Sequence, residues 1–206
     1  MKHQLMRRLC AGFMLLAVMT ACASTKTLHV WKDDQYRQQL HKVLVIGVTE
    51  QDYMRSHFEN VLAENLHSRG IEAVPSNKVL PQSSAKIDRE AVVSKVRELG
   101  IETVLVSRSV SQKEVSQLSP GGLYFVPTDY HRGWYGFYSD SFFAVATYGS
   151  AYDAEYFNIV TNVYDVRGDK LVWSYLSRVK VEGPREGAIN PFLDVLMKQL
   201  KENGLL

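Results

Sequence analysis

Cysteine is almost missing from this chain: the 206 residues hold two, Cys10 and Cys22. With Cys10 inside an apolar leader, an exported product would keep a single thiol, so no internal disulfide framework is available. Acidic residues are absent up to Cys22, and the only long apolar stretch runs from Leu9 to Met19. That stretch falls well short of the roughly 20 residues a spanning helix needs. No Gly-x-Ser-x-Gly elbow is present, which removes the usual frame for a serine nucleophile. No Gly-x-Gly-x-x-Gly follows a strand, and no Gly-Lys-Ser or Gly-Lys-Thr occurs, which removes the common phosphate loops.

What stands at the start is an export signal. Lys2, Arg7 and Arg8 give a basic end, the apolar stretch follows, and small residues Thr20 and Ala21 precede Cys22. A signal that ends directly on cysteine resembles the bacterial lipobox, with Met19 where Leu is usual. That resemblance implies a lipidated Cys22, cleavage before it (signal 1–21) and an acylated new amino terminus. An ordinary secretory signal cut near Ala21 or Ala23 is the alternative. Two or three acyl chains would hold the protein firmly, since each buried methylene adds about 0.8 kcal/mol. Ala23 and Ser24 lack the Asp that retains such products in the inner membrane, so the resemblance implies the periplasmic face of the outer membrane.

Loss of the signal removes three of the 24 Lys plus Arg, leaving 21 against 22 Asp plus Glu and a net charge of −1. With no basic stripe or run, a nucleic-acid partner is not expected. The remaining chain suits one domain better than two.

Residues 22–40 are polar without a sustained period and read as a lipidated tether, with a short element possible around Trp31. Trp31 could anchor at the lipid interface or dock back on the domain. The domain, 41–206, opens with Lys42 to Thr49, whose apolar run predicts a central strand covered on both faces. Thr49 with Asp52 resembles a loose capping box for a helix carrying Met54, Phe58, Val61, Leu62 and Leu66, closed at Gly70. Ile71 to Pro75 is a short strand pushed to an edge by Pro75. Asp88 caps a second helix with Val92, Val93, Val96 and Leu99, stopped at Gly100, and Thr103 to Val110 is a third strand. This order places the three strands parallel.

Between Ser111 and Asp153 the rhythm breaks into Gly, Pro and aromatic rings, an insert over 112–152. Glu155 to Val166 and Lys170 to Glu182 then alternate as a hairpin around Arg167-Gly168-Asp169, a tripeptide that turn chemistry explains without adhesion. Leu171, Trp173, Tyr175, Val179 and Val181 share one face of its second strand, and Trp173 points to the helices. Asn190 caps and Pro191 opens a last helix with Phe192, Val195, Leu196 and Leu200, ended at Gly204. The fold expected is a mixed α/β (α+β) sheet of about five strands, in the order β-α-β-α-β-insert-β-β-α, with helices mainly on one face.

Lys42 to Gly70, the strand pair with Tyr164-Asp165 and Leu171-Val172-Trp173-Ser174, and the terminal Asn203-Gly204-Leu205-Leu206 resemble an uncharacterised family of Gram-negative outer-membrane lipoproteins. More remotely, the element order and the hairpin are similar to periplasmic lipoprotein domains of the curli secretion channel and of penicillin-binding-protein activators. The insert is short for the paired membrane-spanning hairpins of the curli channel. These motifs govern packing and turning, and they imply an accessory or assembly role rather than catalysis.

Candidate chemistry is sparse. His57 and His67 share a helix but face different ways, and His131 beside Asp129 reads as an ordinary loop histidine, so neither a metal nor a cofactor is expected. Candidate binding residues are Tyr130, Trp134, Tyr135, Phe137 and Tyr138. These rings could stack on a glycan or peptide, meet a partner protein, or fold back as a second small core. The leading function is a non-catalytic, lipid-anchored envelope protein that binds another envelope component. A glycan- or peptide-binding module is the alternative, and an enzyme comes third.

Overall fold

A computed structural model describes residues 25–49, 51–80, 89–110, 133–138, 140–141, 156–181 and 183–206. Cys22 and Tyr130 lie outside them, as do Asp88, Asp129 and His131. Six strands form one sheet: β1 (Thr25–Lys32), β2 (Lys42–Val48), β3 (Glu72–Pro75), β4 (Thr103–Val110), β5 (Tyr156–Asp165) and β6 (Lys170–Lys180), in the order β1-β6-β5-β4-β2-β3. Three helices are α1 (Asp52–His67), α2 (Arg89–Glu98) and α3 (Ile189–Glu202), and residues 134–138 form a further helical segment.

The expected mixed sheet is present. β3, β2 and β4 are parallel, and β5, β6 and β1 continue antiparallel. β3 takes the edge that Pro75 requires. The β2 run splits by strand alternation: Val43 and Val45 face one layer, Leu44 and Ile46 the other. The first layer holds Leu62 and Leu66 of α1 with Phe192, Leu196 and Leu200 of α3. In the second are Val92 and Val96 of α2 with Trp134, Phe137 and Tyr138. Each such side chain contributes about 1.5–3 kcal/mol when fully buried.

Four features differ from the sequence reading. Helices cover both faces rather than mainly one, because α1 and α3 lie on one side and α2 with segment 134–138 on the other. A sixth strand occupies Thr25–Lys32 of the expected tether: it pairs with β6, and Trp31 docks against the second layer. Leu171 leaves the face of Trp173, Tyr175 and Val179, because Val163 pairs with Trp173 while Tyr164 pairs with Leu171, which makes Val172 an extra bulged residue. Finally, neither Thr49 nor Asn190 caps a helix. α1 starts after Gln51 and α3 after Ala188, and neither cap makes a side-chain hydrogen bond.

The end of β1 and the segment after it are tied to the carboxyl-terminal residues. Leu40 N–H donates to the Leu205 carbonyl at 2.9 Å, and Lys32 Nζ donates to the Asn203 carbonyl at 2.6 Å. Lys170 Nζ donates to Asp33 Oδ2 at 2.8 Å, fastening the exit of β1 to the start of β6. The hairpin turn uses Asp169 at φ 47°, and Asp165 Oδ2 accepts from Gly168 N–H at 2.6 Å.

Candidate functional site

The chain moves from β2 outward to β3 and then back to β4 on the other side of β2. Its two connecting helices, α1 and α2, lie on opposite faces. In such a sheet the carboxyl ends of the two strands, here β2 and β4, splay open a crevice where ligands bind. This sheet has a cleft there, of about 140 Å³. Gly47, Val48 and Thr49 form one wall, and Ser107, Arg108 and Ser109 form another. Met54 and Phe58 of α1, Phe157 and Ile159 of β5, and Ile189 and Phe192 of α3 supply most of the apolar surface.

Gly47 is required where it stands. A Cβ there would lie 2.8 Å from Phe58 Cδ1, so only glycine lets that ring lie over β2. The Phe58 ring in turn meets Phe192 with centroids 6.2 Å apart, joining α1 to α3 beneath the cleft.

Beside Gly47 sits a buried polar cluster. Glu59, fully buried, accepts from Gly47 N–H at 2.9 Å, Arg55 Nε at 3.0 Å, Ser76 Oγ at 2.6 Å and Asn77 N–H at 2.6 Å. Arg55, also buried, donates to Ser76 Oγ at 2.8 Å. One carboxylate thereby binds β2, α1 and the 3-10 turn Ser76–Lys78 after β3. Nearby Tyr138 has its phenol pushed up to about 12, mainly by burial, with Arg55 opposing the shift and Glu59 adding to it. Two more arginines are held on rings: Arg108 over Phe137 at 5.3 Å and Arg185 over Phe157 at 5.8 Å. Such stacking fixes the plane of a guanidinium.

The candidate rings occupy a different place. Trp134, Phe137 and Tyr138 are 3 %, 2 % and 0 % exposed, packed under the second face of the sheet, and Tyr135 is half-buried against them. Asp169 Oδ1 accepts from Trp134 N–H at 3.1 Å, so the third residue of the Arg-Gly-Asp turn clasps this segment. In the described part of the insert, the rings form core rather than an exposed stacking platform. His67 Nε2 accepts from Ala73 N–H at 3.1 Å, and His57 stacks on Tyr53, so each has a local partner. Among the described residues no three His, Cys, Asp or Glu side chains gather to hold a metal.

The sequence reading missed Arg55, Glu59, Arg108 and Arg185. A signal was available for the cleft itself, since parallel β2 and β4 were legible and their carboxyl ends mark the crevice. For the Arg55–Glu59 pair there was none, because an (i, i+4) ion pair ordinarily marks an exposed helix face.

No protein-family model and no curated protein matches the chain. Among solved structures, it is similar to the PelC dodecamer from Paraburkholderia phytofirmans, with 14% identity, a TM-score of 0.42, and coverage of 84% of this chain and 94% of that one. It is similar also to lipoprotein GNA1162 from Neisseria meningitidis, with 12% identity, a TM-score of 0.39, and coverage of 79% of this chain and 99% of that one. Neither is a curli-secretion or penicillin-binding-protein-activator domain, and at that distance the likeness carries no argument about this chain.

Proposed function

We propose that this chain is a lipid-anchored, non-catalytic envelope protein, held at the periplasmic face of the outer membrane, that binds another envelope component through its cleft in an accessory or assembly role. The observation that carries the reading is the position of Thr25. It pairs with Val179, a cleft residue, and neighbouring strands bring such partners within about 5 Å. Cys22 stands three residues earlier, a reach of about 10 Å at most. A lipid on Cys22 therefore leaves from the end of the sheet at which the cleft opens, with almost no spacer. Among the described residues no helix is long and apolar enough to cross a membrane.

Glycan recognition by stacked rings draws no support from side chains as buried as Trp134 and Tyr138. The test of the anchor is metabolic labelling with palmitate. Wild-type protein should take up label and sediment with outer membranes, and Cys22→Ser should do neither. An unlabelled wild-type protein released freely from the periplasm would overturn the reading.

A further inference from the structure

We propose that the end of the sheet at which the cleft opens is a bilayer-facing surface, with the rings of Tyr53 and Tyr156 lying in the lipid headgroup layer beside the lipid on Cys22. The inference deepens the anchor reading above, which supplies its place in the cell, and its test carries an anchor of its own.

Three separate elements converge on this end. β2 runs parallel to β4, with Val48 at its carboxyl end opposite Arg108; α1 begins at Asp52 just beyond, and Tyr53 is its second residue. β5 is antiparallel to β4, with Val110 opposite Asn158, so its first residue, Tyr156, stands at the same end. Tyr156 pairs with Lys180, next to the Val179 that pairs with Thr25. Neighbouring strands lie about 4.8 Å apart, which in the order β1-β6-β5-β4-β2 puts Tyr156 about 10 Å and the end of β2 about 19 Å from β1. The anchor point and the two rings are thus spread across the sheet end, and α1 sets Tyr53 off to one face.

Tyr53 and Tyr156 are the exposed large hydrophobic side chains among the described residues, 66 % and 38 % exposed. Exposed rings scattered singly need no explanation, but these two share one end of the molecule. Tyr53 lies flat against His57, 6.0 Å between centroids and 2° between planes, so its ring is steadied by its own helix and not drawn into the core. The opposite end, at the β5–β6 turn and the amino ends of β2, β3 and β4, presents charge instead: the side chains of Glu72, Glu98 and Arg167 are each more than half exposed.

Tyrosine suits the boundary of a bilayer, since its ring is apolar and its hydroxyl can stay hydrated. Lys26 and Asp52 are both exposed at this end, so charge of one sign is no part of the argument. The anchor selects a bilayer over a protein partner. Cys22 lies within about 10 Å of Thr25, so a lipid there holds this end at the headgroups. β1 is paired to β6 from its first residue, and no slack beyond those three residues separates the sheet from the anchor.

The test uses the mature chain, residues 22–206, made without its signal, in which Cys22 is the one thiol. Coupling Cys22 to a maleimide bearing a single long alkyl chain places an anchor there whether or not the cell acylates it, so failure of the palmitate experiment above leaves this one intact. The same chain capped with N-ethylmaleimide is the soluble reference. Both are mixed with neutral phosphatidylcholine vesicles, and hydroxyl-radical footprinting reads the oxidation rate of each ring. Tyr53 and Tyr156 should react about fivefold more slowly in the vesicle-bound chain, while a reporter introduced by Arg167→Tyr, at the far turn, stays within about twofold. One alkyl chain binds only marginally, so lost ring contacts show directly in partitioning. Tyr53→Ser combined with Tyr156→Ser should reduce vesicle binding about tenfold and leave the melting temperature unchanged. Rates at Tyr53 and Tyr156 that do not fall on binding, equal protection of the Arg167→Tyr reporter, or vesicle binding unaffected by the double change would overturn the proposal.

Discussion

Replacing Trp173 with alanine tests how the first core layer is built. The indole is 0 % exposed, and its ring lies nearly parallel to that of Tyr175, 5.7 Å between centroids. Emptying a site of this size ordinarily costs about 3–5 kcal/mol. One property of the site lowers that figure. Nε1 is buried with no hydrogen-bond acceptor among the described residues, and an unpaired buried donor costs about 1–3 kcal/mol in the native state. Alanine removes that penalty along with the ring, so the expected loss is near the lower end, about 3 kcal/mol. For a domain of this length each kcal/mol moves the melting temperature by about 2–4 °C, which predicts a fall of about 6–12 °C. Trp173→Phe deletes the N–H with part of the indole but keeps a ring in the site, so it should cost less than alanine. Urea melts would show the midpoint moving at constant slope. A change within about 0.5 kcal/mol for alanine is the behaviour of a surface site and would refute the packing. Phenylalanine as costly as alanine would show instead that the indole N–H is paired.

The buried rings give a second expectation: changing Trp134 and Tyr138 together to Ser should cost several kcal/mol and lower the thermal midpoint sharply, and an unchanged midpoint would return these rings to the surface. Asp33 gives a pH dependence, because its hydrogen bond from Lys170 holds its carboxyl below the ordinary range, helped by the Gln35 N–H and opposed by burial. A lowered carboxyl stabilises the fold above the unfolded value near 4 and loses that contribution as pH falls through the folded value. Acid melts of wild type and Asp33→Asn should therefore differ at pH 6 and converge as pH falls below the folded value, and curves already coincident at pH 6 would contradict the latch. Gly47→Ala should cost about 1–3 kcal/mol by driving the Phe58 ring off β2. A melt unchanged by that methyl would mean the ring has free space to move into.

Most of the sheet was legible in sequence where one residue type had one physical job. Val43 to Ile46 is apolar on both faces and is covered on both. Gly70, Gly100 and Gly204 were read as helix ends, and each has a positive φ of 79°, 63° and 69°. β1 was not legible, because Thr25-Lys26-Thr27-Leu28-His29 has little alternation and its register slips between Thr27 and His29, so that no period of two survives. Leu171 was misplaced for the same kind of reason: a bulge at Val172 changes the face of every residue before it, and alternation alone cannot reveal one. The rings, which the sequence leaves open between binding and packing as a second core, carry a signal for packing. Trp134, Phe137 and Tyr138 stand at i, i+3 and i+4, the spacing of one helical face, but Gly133 and Gly136 around them read as loop. The cleft followed from topology rather than from any motif, and its arginines lie on three different elements, which local spacing cannot connect.

The Arg55–Glu59 pair explains why a cleft can persist at the end of this sheet instead of collapsing. As a contribution to stability a buried ion pair is a poor choice, since desolvation cancels much of the attraction and an apolar replacement often serves as well. An apolar replacement here would leave the Gly47 and Asn77 N–H groups and the Ser76 hydroxyl without the acceptor they now share, each an unpaired buried group. The carboxylate thus fixes three backbone segments at one point: the end of β2, the first turns of α1 and the turn after β3. With those held, Gly47 keeps its place under Phe58, and Phe58 keeps its place against Phe192. The wall of the cleft is then set by hydrogen bonds, which are directional, and not by apolar contact, which would draw the wall inward. A site built this way stays open without a ligand to prop it, and it stands at the end of the sheet where Thr25 brings the chain toward Cys22.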